Sequence, residues 1–210
     1  MTKAARECLI IFTRYPEPGK TKTRLIPVLG AEGAATLQRQ MTEQKLAEVK
    51  KLQAFYPLSV EIHFAGGNKQ LMQEWLGSSL VYRRQSEGDI GCRMASAFLA
   101  SFEAGINAVV LIGTDCPDLN AQLMAGAFLA LPQHDLVLGP ALDGGYYLIG
   151  LRRLIPELFT GIRWSTAEVL PQTLRIAQRL NLAVAQLPLL SDVDRPEDLS
   201  VWKANNHERA

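Results

Sequence analysis

The sequence predicts an α/β fold: a mostly parallel central sheet covered by helices on both faces, three layers in all. Three observations lead there. Strand-like and helix-like stretches alternate along the 210 residues, the pattern of successive β-α-β units. Several strand candidates are short and continuously apolar, as strands buried on both faces must be; Ala108-Val109-Val110-Leu111-Ile112 is the clearest. One link, Gly139–Gly145, is too short for a helical crossover, so the strand after it is expected to run antiparallel to its neighbour.

The strands in order are Cys8–Thr13, Leu58–Phe64, Leu80–Tyr82, Ala108–Gly113, Asp135–Gly139, Tyr146–Leu151 and Leu182–Leu187. The first helix is expected over Ala34–Phe55, where Leu37, Met41, Val49 and Leu52 fall on one stripe and the lysines and glutamates lie elsewhere. Helices follow over Asp89–Ala104, Asn120–Leu131, Ser165–Leu180 and Pro196–Ala204. Ser165 with Glu168, and Asp194 with Glu197, have the spacing of capping boxes. No repeat or linker-like stretch interrupts the pattern, so residues 1–210 read as one domain.

Composition narrows the function. Hydrophobic residues make up 48% of the chain and charged residues 20%, an ordinary globular balance. With 22 Lys+Arg against 21 Asp+Glu, the net charge of +1 provides no general field for nucleic acid or anionic lipid. No apolar run approaches the ~18 residues of a membrane span. Cys8–Phe12 is too short for a signal peptide and no small-residue cleavage site follows, so the expected compartment is the cytoplasm. Cys8, Cys92 and Cys116 form neither a disulfide framework nor a CxxC pair. His63, His134 and His207 show no zinc spacing and read as packing or surface residues.

In open α/β sheets, ligands bind beyond the carboxyl ends of the strands. Three such loops carry concentrated chemistry. After the first strand, Arg14, Lys20, Lys22 and Arg24 share eleven residues with Thr21, Thr23, two prolines and a glycine. Such a loop can surround a phosphate chain, Lys acting as a point charge and Arg as a planar fork; the competing reading is a solvated cationic turn. It is neither a Walker A nor a GxGxxG motif. After the fourth strand comes Gly113-Thr114-Asp115-Cys116-Pro117-Asp118-Leu119. An acid beside a buried strand calls for a compensating cation, and Mg²⁺ takes one or two carboxylates plus phosphates and waters, so Asp115 is the first ligand candidate. Asp118 reads as helix N-terminal charge and Cys116 as packing. Near the end, Asp192-Val193-Asp194 precedes a helix. Helix capping explains it alone; together with Asp115 it suggests two converging carboxylates, only one of Asp192 and Asp194 ligating directly.

Two further segments support this reading. Gln85-Ser86-Glu87-Gly88-Asp89 leads into a helix whose N-terminus favours anions, with Arg93 adding charge. Asp143-Gly144-Gly145-Tyr146 is a turn signal, yet it lies where Asp143 can face a substrate and Tyr146 or Tyr147 can stack on a ring.

Ile11–Leu25 resembles the FxKxPxPGxxKTRL opening of a bacterial family of radical-SAM/selenodomain-associated, arsenosugar-biosynthesis-type glycosyltransferases, with Arg14 in place of Lys. Residues 113–119, 139–151 and 192–199 resemble its later motifs in the same order. That family lies in the nucleotide-diphospho-sugar transferase (GT-A) superfamily, with 2-phospho-lactate and molybdenum-cofactor guanylyltransferases as relatives. The resemblance implies a Rossmann-like sheet of about seven strands with one antiparallel member. It implies Mg²⁺ or Mn²⁺ held by Asp115 and Asp194, with Asp192 nearby, and phosphates on Arg14, Lys20, Lys22 and Arg24. Two enzymatic functions follow as expectations, each needing a nucleotide donor and a small-molecule acceptor. One is glycosyl transfer from a nucleotide-sugar. The other is nucleotidyl transfer from a nucleoside triphosphate with loss of pyrophosphate. In both, Asp115 and Lys22 serve the chemistry, and Asp143, Gly144, Gly145 and Tyr146 line the acceptor side, Asp143 as a candidate base. A non-catalytic nucleotide-binding role is the third reading.

Overall fold

A computed structural model describes residues 7–207. Seven strands form one sheet: β1 (Glu7–Arg14), β2 (Ser59–Ala65), β3 (Val81–Arg84), β4 (Ala108–Ile112), β5 (Leu136–Pro140), β6 (Tyr146–Leu151) and β7 (Val184–Gln186). Their order is β3-β2-β1-β4-β6-β5-β7. All neighbours are parallel except β6, which pairs antiparallel with both β4 and β5. The short β5–β6 link is therefore a hairpin, as its length requires, with a register shift at Gly139/Pro140.

Alternation in the strands divides the core. Leu9, Ile11, Val110, Ile112 and Leu148 face one layer; Cys8, Ile10, Phe12, Val109, Leu111 and Ile149 face the other. The first layer is covered by α1 (Ile26–Phe55), α2 (Lys69–Leu76) and α4 (Ala121–Ala130), the second by α3 (Ile90–Glu103) and α5 (Val169–Arg179). A separate cluster joins Leu25, Leu37 and Met41 to Val193, with Leu199 and Trp202 packed against it from α6 (Leu199–His207). No helix among the described residues is long and apolar enough to cross a membrane.

Four elements differ from expectation. The first helix begins at Ile26, eight residues early, because Pro27 suits a first turn and Gly30, at φ 71°, lets the chain break and resume. α2 was not anticipated: at two turns its apolar residues are too few to display a period, and Asn68 caps it. The Ser165–Glu168 capping box does not form. Ser165 is at φ 61°, Thr166 accepts from the Glu168 N–H, and α5 starts at Val169. Before α6, the cap is Asp198, whose carboxylate accepts the N–H groups of Asp194 and Arg195; the Asp194 side chain is engaged elsewhere.

At the β2–β3 edge, Glu61 accepts from Arg83 at 2.6 and 3.1 Å and from His63 at 3.0 Å. Burial alone would raise its carboxyl, but those hydrogen bonds outweigh burial and lower it to about 2. The ionised form is thus favoured in the folded state, and the stability it contributes is present at neutral pH and fades as pH falls from the usual carboxylate range toward 2. Glu61→Gln is expected to destabilise the protein by about 1–2 kcal/mol at pH 7, with the difference from wild type shrinking below about pH 4.5 and closing only as pH falls to about 2 in thermal melts.

Candidate active site

The chain turns from one side of the sheet to the other between β1 and β4, and the loops leaving their carboxyl ends splay apart there. The loop after β1 is held from within: buried Thr21 donates to the Tyr15 carbonyl and accepts from the Glu17 N–H. Lys22 follows in the left-handed region at φ 48°, which turns its side chain back under the loop. The loop after β4 is fixed by buried Lys45, whose ammonium donates to the carbonyls of Cys116 at 2.8 Å and Leu119 at 2.6 Å. The third segment, at 192–194, closes on both. The Val193 N–H donates to the Asp115 carbonyl at 2.8 Å, and the buried Val193 side chain packs among Leu25, Leu37 and Met41, worth roughly 1.5–2 kcal/mol.

These three segments meet at the Lys22 ammonium. It lies 2.9 Å from Asp115 Oδ1, 3.8 Å from Asp194 Oδ1 and 2.6 Å from the Val193 carbonyl oxygen, on a side chain only 3% exposed. The second Asp194 oxygen is bound by Arg24. Asp115 and Asp194 thus converge on one point from loops about eighty residues apart in sequence. Among the described residues, no three His, Cys, Asp or Glu side chains group tightly enough to hold a metal alone. Two carboxylates and a carbonyl around one small cation nonetheless form the hard-oxygen set that Mg²⁺ or Mn²⁺ completes with phosphates and water, so the residues fit the ion.

Two clefts flank this point and share Arg24, Ile90, Gly113, Asp115 and Asp194. The smaller, about 530 Å³, is basic: Arg14, Lys20, Lys22, Arg24 and Arg93 line it beside Thr23 and Gln85. Lys20 is shared with Glu17 at 2.7 Å, and Arg93 Nε donates to the Gly88 carbonyl. Asp89 caps α3 through the Cys92 N–H, and neither Gly88 nor Asp89 lines either of these two clefts. Gln85 donates to the His63 carbonyl at 2.9 Å, bracing the cleft against β2. Beneath it, the Gln38 amide donates to Thr13, Thr42 and Thr114 at 3.1–3.3 Å, tying α1 to the ends of β1 and β4.

The larger cleft, about 850 Å³, lies over the β4–β6–β5 ends. Asp143 and Asp192 line it with Asp115 and Asp194. Burial, then the charge of Asp143, raise the Asp192 carboxyl to about 6. Of the Asp192–Asp194 pair, only Asp194 pairs with the Lys22 ammonium; residues two apart share a face in an extended segment, so the local turn and not alternation separates them. Asp143 Oδ1 accepts the Gly145 N–H at 2.7 Å, so it is a turn residue that also faces the cleft. The close approach that Gly144 permits is to the Ala167 backbone, 2.4 Å from where a Cβ would stand. Tyr146 lines the cleft with its ring; its hydroxyl is buried beside Thr173. Tyr147 donates to the Pro188 carbonyl. Burial pushes the Cys116 thiol up, in keeping with a packing role.

Sequence reasoning missed Lys45, Glu48, Gln38 and Trp164. The expectation that the lysines of this helix lie off the apolar stripe fails at Lys45, which sits four residues from both Met41 and Val49 and so on the buried stripe; that spacing is the available signal. Buried Glu48 accepts the Ala121 N–H, anchoring the start of α4. Trp164 carried no motif. It is positioned by Gly91, where a Cβ would lie 2.5 Å from the indole.

The sheet order with its reversed β6 and the paired loops at the switch point are the architecture of nucleotidyl- and sugar-nucleotide-transferase folds. A protein from Desulfovibrio desulfuricans G20, described as a candidate nucleotide-diphospho-sugar transferase, matches with a TM-score of 0.88 and 38% identity over 96% of this chain and 88% of its own. The 4-diphosphocytidyl-2C-methyl-D-erythritol synthase of Anaerococcus prevotii DSM 20548 shares the fold at a TM-score of 0.63, with 10% identity over 97% of this chain and 96% of that one. So does Rv0371c of Mycobacterium tuberculosis H37Rv in complex with manganese, at 0.56 and 15% identity over 95% and 98%. No curated protein sequence matches significantly. The chain belongs to the bacterial family described as "Uncharacterized protein conserved in bacteria (DUF2064)", whose profile matches residues 48–166.

Proposed function

We propose that this chain is a cytoplasmic, divalent-metal-dependent transferase that binds the phosphates of a nucleotide donor in the basic cleft and transfers a glycosyl group to a small acceptor in the larger one. The carrying observation is the junction of the two clefts at Asp115, Lys22 and Asp194. Asp115 and Asp194 would hold Mg²⁺ or Mn²⁺, which when bound neutralises charge on the departing diphosphate. Lys22 is then released from the carboxylates and pairs with a phosphate oxygen, while Arg24 and Arg93 take up further charge from the rim. The manganese bound by the similarly folded M. tuberculosis protein supports the choice of ion. The resemblance to selenodomain-associated glycosyltransferases and the name of the D. desulfuricans relative support the glycosyl donor. So does a cleft of about 850 Å³ beside the cation point, roomy enough for a sugar and an acceptor together.

Nucleotidyl transfer is the second reading. The five cations around the smaller cleft suit a triphosphate, and the synthase from A. prevotii belongs by name to that chemistry. Thermal shift with nucleosides, nucleoside di- and triphosphates and nucleotide-sugars, with and without Mn²⁺, separates the possibilities. A good donor at a hundredfold excess over its Kd stabilises by about 2.7 kcal/mol, a shift of about 5–10 °C for a chain of this size. Release of a nucleoside diphosphate establishes glycosyl transfer; release of pyrophosphate establishes the alternative. A nucleoside that stabilises as well as its phosphates, with no effect of Mn²⁺, defeats both.

A further inference from the structure

Resting on that reading, we infer that the acceptor is an uncharged, ring-shaped polyhydroxy compound or its amino form, and that phosphorylated and carboxylated acceptors are rejected. The donor reading concerns the basic cleft; this inference comes from the walls of the other one.

The two clefts differ sharply in charge. The larger cleft is lined by no lysine. Its cations are Arg24, already bound to Asp194, and Arg195, exposed on the rim. With them in the lining are Asp143 and Glu197, both exposed, and half-buried Asp192, and none of these three makes an ion pair among the described residues. Asp115, Asp143 and Asp192 line this cleft together with the buried Cys116. A divalent ion at Asp115 and Asp194 leaves Asp143 and Glu197 uncompensated, and the donor diphosphate next door adds negative charge. A phosphate or carboxylate on the acceptor would enter against all of these, and like charges in a partly desolvated cleft repel strongly. Hydroxyl and ammonium groups are the matching donors, because an ionised carboxylate only accepts hydrogen bonds.

The apolar lining selects shape. Ile90, Met94, Trp164 and Val169 line the same cleft as the acids. Trp164 cannot retreat toward α3 except over Gly91, which has no side chain and already touches the indole. A fixed indole in a cleft that also carries carboxylates suits a ring with one C–H face and an edge of hydroxyls: the face packs on the indole and the edge reaches the acids. An amino group gains further from the ring and the carboxylates together.

The test holds the ring constant and varies only its charge. Glucose, glucosamine, glucose 6-phosphate and glucuronate are titrated by saturation-transfer NMR into the full chain, free and with Mn²⁺ plus UDP or GDP. Expected dissociation constants for glucose and glucosamine are at least about tenfold below those of the two anionic sugars. Trp164→Ala is expected to abolish binding of the neutral sugars. Asp143→Asn/Asp192→Asn is expected to narrow the gap to less than about threefold. The inference is overturned by equal or tighter binding of the anionic sugars, by a gap that persists in the double variant, or by no saturation with any of the four. Nucleotide binding, followed separately by thermal shift, keeps the two readings apart. A wrong donor reading removes the Mn²⁺–nucleotide response and leaves the sugar series in order. A wrong acceptor inference reverses the sugar series and leaves the nucleotide response intact.

Discussion

Asp115→Asn is expected to reduce transfer by about a thousandfold and to remove the dependence of nucleotide binding on Mn²⁺, while the melting temperature stays close to wild type. The separation follows from how Asp115 is used. Its structural tie, the bond from the Val193 N–H, is made by the main-chain carbonyl and survives any side-chain change. Its carboxylate is 46% exposed and meets the Lys22 ammonium and, at 3.5 Å, the neighbouring Thr114 hydroxyl. Asparagine keeps the shape and one acceptor oxygen but loses the charge, so a divalent ion is held by Asp194 alone. Calorimetric titration of Mn²⁺ with GDP or UDP into the variant reads this directly. Unchanged Mn²⁺ affinity in the presence of the nucleotide would move the metal away from Asp115.

Lys22→Met is expected to act in two opposite directions. Methionine fills the buried stem of the lysine but brings no charge. Di- and triphosphates are expected to bind about a hundredfold more weakly, with nucleosides little affected, because a desolvated ammonium–phosphate contact is lost. In the absence of nucleotide, Mn²⁺ alone is expected to bind at least about tenfold more tightly than in wild type, since Asp115 and Asp194 no longer have an ammonium between them. Electron paramagnetic resonance of free Mn²⁺ measures the second effect. Lys22→Gly is the control for backbone: glycine accepts the φ of 48° without strain, so any effect it shares with methionine belongs to the ammonium. Equal weakening of nucleosides and their phosphates in both variants would mean that Lys22 shapes the loop and does not touch phosphate.

Much of the scaffold was readable because two periodicities and one length carried it. The apolar runs of β1, β4 and β5 are too short for helices, and the seven residues of Gly139–Gly145 leave no room for a crossover, so β6 had to reverse. The loops bearing Lys22, Asp115 and Asp194 stood out because charge is costly beside buried strands. What the sequence hid was degenerate spacing. Asp194 and Asp198 both sit where a helix cap could be, and only the three-dimensional path gives Arg24 to one and the N–H groups to the other. Lys45 and Glu48 were obscured by composition: in a helix rich in Lys and Glu, a buried pair looks like its exposed neighbours until the stripe through Met41 and Val49 is followed. Trp164 was invisible because its partner is the absence of a side chain at Gly91.

The bond between the Val193 N–H and the Asp115 carbonyl has a consequence for biosynthesis. A ribosome delivers the chain from its amino end, so the basic loop and the first acidic turn are made long before the segment that joins them. Until then Lys22 lacks two of its partners, the carbonyl of Val193 and the carboxylate of Asp194. Competence is acquired only once the acidic turn at 192–194 has docked. A chain halted or clipped after β7 keeps every strand of the sheet and cannot assemble the junction where the two clefts meet.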